Sequence, residues 1–232
     1  MKSICRSLLL VAAMAISAPV AGQKTDDPFD RVPGGKPHRL LPGSGYLALE
    51  SSLTGLAHRA GVPTGLERSH AQRTFRRSPE VFATDFSSIS LRESWQILQK
   101  FDPEYEARML SGVFVIRPKS AWTYADHPLH RRVSLFEVVK VSLPELTWRI
   151  GAMLSGSTLP YRVHPAAKIP LIDWTLHLER PSVLEILNAA AREPGRMSWE
   201  YDDRDDVAAD CTLYLHTPAG ENYRVGCFPR PR

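Results

Sequence analysis

His127 and His130 stand three residues apart in Ala125-Asp126-His127-Pro128-Leu129-His130-Arg131-Arg132, and with Asp126 they supply the residue types of a metal site. Pro128 opposes the helix that would turn both rings to one side, and Arg131 and Arg132 would repel a cation. The stretch therefore reads as a polar linker and no metal site is assigned. The run Asp202-Asp203-Arg204-Asp205-Asp206 gathers four carboxylates. Arg204 interrupts it, and neither a turn glycine nor a distal glutamate completes a calcium loop, so it reads as a solvated hairpin tip. No Gly-x-Ser-x-Gly elbow, Gly-x-Gly-x-x-Gly turn or Walker loop occurs, and Gly43-Ser44-Gly45 lies where nothing would hold the serine rigid. The sequence thus assigns no catalytic residue, no cofactor and no metal ligand. Trp122, Tyr124, Arg131 and Arg132 form the candidate partner surface, with packing between modules as the other reading of the two aromatics.

What the cysteines can do depends on the compartment. Lys2 and Arg6 precede a run, Leu8 to Ala18, without one charged side chain, and Val20, Ala21 and Gly22 are small. This pattern predicts a signal peptide over 1–22 with cleavage near Gly22, and hence a periplasmic or secreted protein. The apolar stretch is shorter than the roughly 20 residues a bilayer-spanning helix needs, and no later stretch is long and apolar enough to span. Cys5 leaves with the leader, so Cys211 and Cys227 remain in an oxidising compartment. A hairpin centred on Ala219 would set Leu213 against Val225, Leu215 against Tyr223 and Cys211 against Cys227, which predicts a cross-strand disulfide. Without the leader, 27 basic side chains face 25 acidic ones, a net charge of +2. That balance calls for neither nucleic acid nor an anionic membrane as partner. With 232 residues, 43% of them hydrophobic, the chain is also too apolar to be wholly disordered.

The elements that would position these residues follow from periodicity. Residues 23–45 hold four prolines and four glycines without period and read as a flexible tether. Leu49, Leu53, Leu56, Ala57 and Ala60 share one helix face that Gly61 and Pro63 end. Val81, Phe82, Phe86 and Ile89 lie on an expected extended stretch. Ser90-Leu91-Arg92-Glu93 is a capping-box start, followed by a helix to Phe101 and a hairpin about Ser111-Gly112. The order then recurs. Val133 to Val141 reads as a strand, Ser142 to Glu145 and Ser182 to Glu185 repeat the helix start, and Tyr161 and Val163 mark a short strand. Trp174, Leu176 and Leu178 alternate as a half-buried strand, and the stretches from Met197 and from Cys211 close the chain as strands. Setting Ser90 on Ser182, a shift of 92, also brings Glu93 onto Glu185 and Trp95 onto Leu187. The expected fold class is α+β: two small tandem domains, over 46–118 and 133–228, each with two helices packed on one face of a small mixed sheet, joined by a linker over 119–132 and ending in a tail over 229–232.

Leu53 to Val62, Ile89 to Glu93 and Gly112 to Ile116, in that order, resemble the secretin and TonB N-terminus short domain. Ser182 to Leu187 and Leu213 to Leu215 resemble a looser second copy, with the acidic loop inserted in its last hairpin. The resemblance implies a non-enzymatic envelope protein that contacts another envelope protein. No outer-membrane barrel follows residue 217, so the expected role is that of an adaptor or binding protein, with a sheet edge as one way of holding an extended segment. Two rivals belong to other classes. One is a periplasmic hydrolase acting on cell-wall or peptide substrates with His58, His70, His127 or His164 as acid or base. The other is a secreted effector or inhibitor that docks through the tether or the basic tail from Phe228.

Overall fold

The computed structural model describes residues 27–39, 46–68, 83–155, 173–193, 197–202, 211–216 and 222–227. The expected leader, the tail, His70, His164, Val81, Phe82, Tyr161, Val163, Asp203 to Asp206 and the turn about Ala219 lie outside these residues.

The helix starts behave as their side chains dictate. At Ser90 and again at Ser182 the hydroxyl accepts from the third backbone N–H, while Glu93 and Glu185 reach back to the cap N–H, launching α2 (Leu91–Phe101) and α5 (Val183–Arg192). The third Ser-x-x-Glu start differs: Glu145 of α4 (Leu143–Ser155) turns instead to Arg149, one turn on, at 2.7 Å. α1 (Tyr46–Arg59) ends where predicted, with Gly61 at φ +67° and Val62 N donating back to Ala57 O. A short helix, α3 (Lys119–Thr123), falls within the expected linker.

Eight strands are described: β1 (Thr64–Arg68), β2 (Tyr105–Leu110), β3 (Val113–Pro118), β4 (Leu135–Val141), β5 (Trp174–Glu179), β6 (Ser198–Asp202), β7 (Cys211–His216) and β8 (Asn222–Cys227). β2 and β3 meet at Ser111-Gly112, both at positive φ as a two-residue hairpin turn requires. The C-terminal hairpin has the predicted register, with Leu213 opposite Val225, Leu215 opposite Tyr223 and Cys211 opposite Cys227.

The α+β class and the mixed sheet hold, but separate sheets for 46–118 and 133–228 are not observed. Instead one six-stranded sheet runs β2-β3-β1-β6-β7-β8, with β1 parallel to both β3 and β6. The cause is visible in burial. β3 is buried at every residue and β1 at its first four, so neither suits a sheet margin, and β6 satisfies the second edge of β1 from Thr64 opposite Ser198 to Arg68 opposite Asp202. Alternation then gives the sheet two cores. Phe114, Ile116 and Leu66 pack with Leu53 and Leu56 of α1 and Leu91 and Leu98 of α2. Val113, Val115, Trp199 and Leu213 pack with Ile150 of α4, Ile186 of α5 and Trp174 of β5. β4 and β5 pair as a two-stranded ribbon, bulged between Val138 and Val141, with Lys140 at φ +50°.

Two segments expected to be loose are docked. Residues 27–39, part of the expected tether, lie against α2. Phe29 stacks 5.0 Å from Phe114, Arg92 covers the Phe29 ring and holds Asp27 and Asp30 at 2.6 Å each, and Leu91 N donates to Arg31 O. The stretch 119–132 is docked too, and by a similar device. Pro28–Asp30 and Pro128–His130 are both 3₁₀ turns whose preceding side chain, Asp27 or His127, accepts from the N–H of a buried residue, Phe29 or Leu129. Each then uses an arginine carbonyl, Arg31 or Arg131, to receive the first helical N–H of a capping-box helix, Leu91 or Val183, at 3.0 Å. The core energy missed by a loop reading is that of the buried Phe29 and Leu129 side chains.

Candidate functional site

Glu67 and Arg117 sit side by side on the parallel strands β1 and β3, on the sheet face that α5 covers, and both are almost wholly buried, at 1% and 0% exposure. Alternation puts them there: Leu66 and Ile116 point into the α1/α2 core, so the next residue on each strand faces the other way. Arg117 Nε donates to Glu67 Oε2 at 2.6 Å. His127 Nε2 lies 2.9 Å from Glu67 Oε1, its Nδ1 lies 3.1 Å from an Arg117 nitrogen, and His130 Nε2 lies 3.0 Å from the other.

Donor and acceptor types fix the tautomers. An arginine offers only donors, so the ring nitrogens facing it are bare acceptors. Leu129 N also donates to His127 Nδ1, at 3.2 Å. His127 therefore carries its proton on Nε2 and gives it to Glu67, while His130 carries its proton on Nδ1 and gives it to Tyr124 O at 2.9 Å. Burial, with the Arg117 charge as a lesser cause, pulls the His130 pKa below its ordinary value, against a smaller upward pull from the Tyr124 carbonyl. All four ring nitrogens are spent on the protein itself. An acid or base needs a nitrogen that can reach a substrate proton, and the two histidines present none. No group of three or more His, Cys, Asp or Glu side chains placed to hold a metal ion occurs among the described residues, and the Arg117 guanidinium lies between the two rings. The arrangement pins residues 124–130 to the sheet.

The predicted partner surface is only partly brought together. Trp122 is half-buried and packed on the larger core, with the guanidiniums of Arg108 and Arg117 lying 4.3 Å and 4.8 Å from its ring centre. Tyr124 is exposed at 57%. Arg131 turns its guanidinium to the last carbonyls of α4, those of Met153 and Leu154, at 2.8 Å and 3.0 Å. Arg132 donates to Arg180 O at 2.7 Å and to Glu185 at 3.3 Å, on the far side of the segment. Of the histidines weighed as acid or base, His58 lies exposed on α1.

Arg132 opens onto a groove of about 480 Å³ between the β2–β3 turn, the end of β5 and the length of α5 from Leu184 to Arg192. Its walls are Leu110, Leu178, Leu184 and Ala189, and its rim carries Arg132, Arg180 and Arg192 with Glu179 and Glu185. The docked segment positions one side of it, since Val133 N donates to Pro181 O and Arg132 bridges to Ser182. Glu185 is held ionised by the Ser182 backbone N–H foremost, and so belongs to the helix cap. Sequence reading missed Glu67 and Arg117, which lie 50 residues apart with no pattern linking them, and it missed the groove, whose lining comes from three separate stretches, at 110–111, 132 and 178–192. No family model matches the chain, and no curated protein or solved structure matches it either.

Proposed function

We propose that the protein is an exported, non-enzymatic interaction module of the cell envelope, built from two diverged copies of one α+β unit that share a sheet. The observation that carries the reading is the contrast within the site: the buried histidine–carboxylate cluster is closed on itself, whereas the groove beside it is open and rimmed by arginines. A catalyst exposes its titratable groups to a cleft, and a docking module exposes complementary shape and charge. Duplication is supported by the repeated 3₁₀ turn, arginine carbonyl, capping-box helix and antiparallel hairpin, present once ahead of β2–β3 and once ahead of β6–β7. Likeness to the secretin and TonB N-terminus short domain rests on the sequence stretches that suggested it. Export rests on the charged and apolar pattern of residues 1–22, and the Cys211–Cys227 disulfide on that compartment together with the observed register.

The experiment is affinity capture from an envelope extract with the full chain from residue 23 immobilised, set beside a turnover assay on peptidoglycan. One envelope protein recovered in stoichiometric yield, with no peptidoglycan turnover, is the expected result. Turnover that survives purification to homogeneity would overturn the reading.

A further inference from the structure

We infer that the groove along α5 is a binding site for an acidic peptide segment, with Arg180 and Arg192 taking its carboxylates and the Asn188 amide giving a hydrogen bond to an oxygen at the wall. This rests on the interaction-module reading and names the chemistry of the partner. The starting point is Asn188, which is 4% exposed and lines the groove. Its Oδ1 accepts from Trp199 Nε1 at 3.0 Å. Because an indole N–H only donates, the amide orientation is forced, and the NH₂ group is the end left over. That group has no partner among the described residues. That nitrogen is not sealed from solvent, and the groove is where a ligand acceptor can take the place of water.

The rim supplies the charge. Arg132 is spent on Arg180 O and Glu185, and Glu185 is spent on the helix cap. The guanidiniums of Arg180 and Arg192 have no hydrogen-bond or ion-pair partner among the described residues, and both residues line the groove. Their planar guanidiniums match a carboxylate fork. Glu179 also lines the rim without a partner, and a peptide brings backbone N–H groups that can meet it. Leu178, Leu184 and Ala189 give the site an apolar wall, and the space exceeds what one small anion fills. Acidic residues alternating with apolar ones fit these features together, whereas a lone phosphate uses the arginines and leaves the wall bare.

The test titrates acetyl-Glu-Leu-Glu-Leu-Glu-amide into the full chain from residue 23 by calorimetry, beside its glutamine counterpart acetyl-Gln-Leu-Gln-Leu-Gln-amide. The acidic peptide binds one site and the glutamine peptide binds about tenfold or more weaker, with an affinity that falls as salt rises. Arg180→Glu/Arg192→Glu, a change at two unpartnered side chains, abolishes binding and leaves the thermal melt in place. Asn188→Asp keeps an oxygen for Trp199 but turns the free donor into an acceptor, and binding again falls by about tenfold or more. Equal binding of the two peptides, no heat with the acidic peptide at about 1 mM, undiminished binding by the arginine double variant, or displacement by an equal concentration of inorganic phosphate would each overturn the assignment. If envelope capture proceeds equally with wild type and the Arg180→Glu/Arg192→Glu variant, the module reading stands and the groove assignment falls.

Discussion

Glu67→Gln is the substitution whose consequence the structure fixes most tightly. The carboxylate accepts from Arg117 Nε on one oxygen and from His127 Nε2 on the other, at 2.6 Å and 2.9 Å, in a site from which Arg117 is wholly excluded from water. Glutamine has the same shape but only one acceptor oxygen, so its NH₂ must face a donor. One buried N–H loses its partner and the guanidinium loses its counter-charge. Removing one member of a buried ion pair costs about 3–5 kcal/mol, a large share of the roughly 5–15 kcal/mol that holds a domain folded. For a chain of this size that corresponds to a melting temperature lower by about 6–20 °C. Segment 124–130 loses its anchor with it, and hydrogen exchange at Leu129 N rises ahead of the core strands. Adding Arg117→Met to Glu67→Gln removes the stranded charge but leaves His130 Nε2 without its donor, so the double variant regains part of the loss. Urea melts of the four proteins form the double-mutant cycle. A Glu67→Gln protein within about 1 kcal/mol of wild type, or a double variant no more stable than the single, would refute the reasoning.

Further outcomes follow from other parts of the fold. Burial lowers the His130 pKa, so the unfolded chain takes up its proton first as pH falls; stability is complete above the ordinary value of 6.5 and declines below it. Urea midpoints measured between about pH 7.5 and 5.5 show that decline, and His130→Gln makes it shallower, the remainder belonging to His38, whose pKa burial also lowers; the groups facing His130 are Arg117, His127, Glu67 and the Tyr124 carbonyl. Gly65→Ala drives a methyl into the Trp199 ring, which lies over that glycine, and costs about 1–3 kcal/mol with a changed tryptophan emission in the folded state. Ser182→Ala removes the cap that accepts from Glu185 N and lowers stability by about 1 kcal/mol in a denaturant melt. The proposed Cys211–Cys227 disulfide predicts that Cys211→Ser with Cys227→Ser lowers stability by about 3 kcal/mol and that the wild-type thiols react with a labelling reagent only after reduction.

The parts of the fold that a local pattern encodes were legible. Ser90 and Ser182 cap helices because a hydroxyl and a glutamate three residues on can satisfy two orphaned N–H groups without help from afar. Ser111-Gly112 turns a hairpin because Gly112 takes positive φ without strain, and Cys211 lies opposite Cys227 in register because hairpin register is set by its own strands. What failed was everything decided at a distance. β1 reads Thr-Gly-Leu-Glu-Arg, a sequence with little strand propensity, and it is a strand because β3 and β6 flank it. Its pairing with β6 joins residues 134 apart, which is why a separate sheet was expected in each half and one six-stranded sheet spanning both was found, beside the β4–β5 ribbon. One signal was readable and passed over. Asp-Pro-Phe-Asp-Arg at 27–31 and His-Pro-Leu-His-Arg at 127–131 share proline, a large apolar residue and arginine at the same spacing, and both dock as 3₁₀ turns where a tether and a linker were expected.

On the proposed function, the groove is the face that meets a partner. The direct measurement places a photo-crosslinking residue at Glu179, on the groove rim, and at His58, exposed on α1 across the sheet, in the full-length protein expressed in its own envelope. One discrete cross-linked species from position 179 and none from position 58 is the predicted result; a species from position 58 with none from position 179 would contradict it.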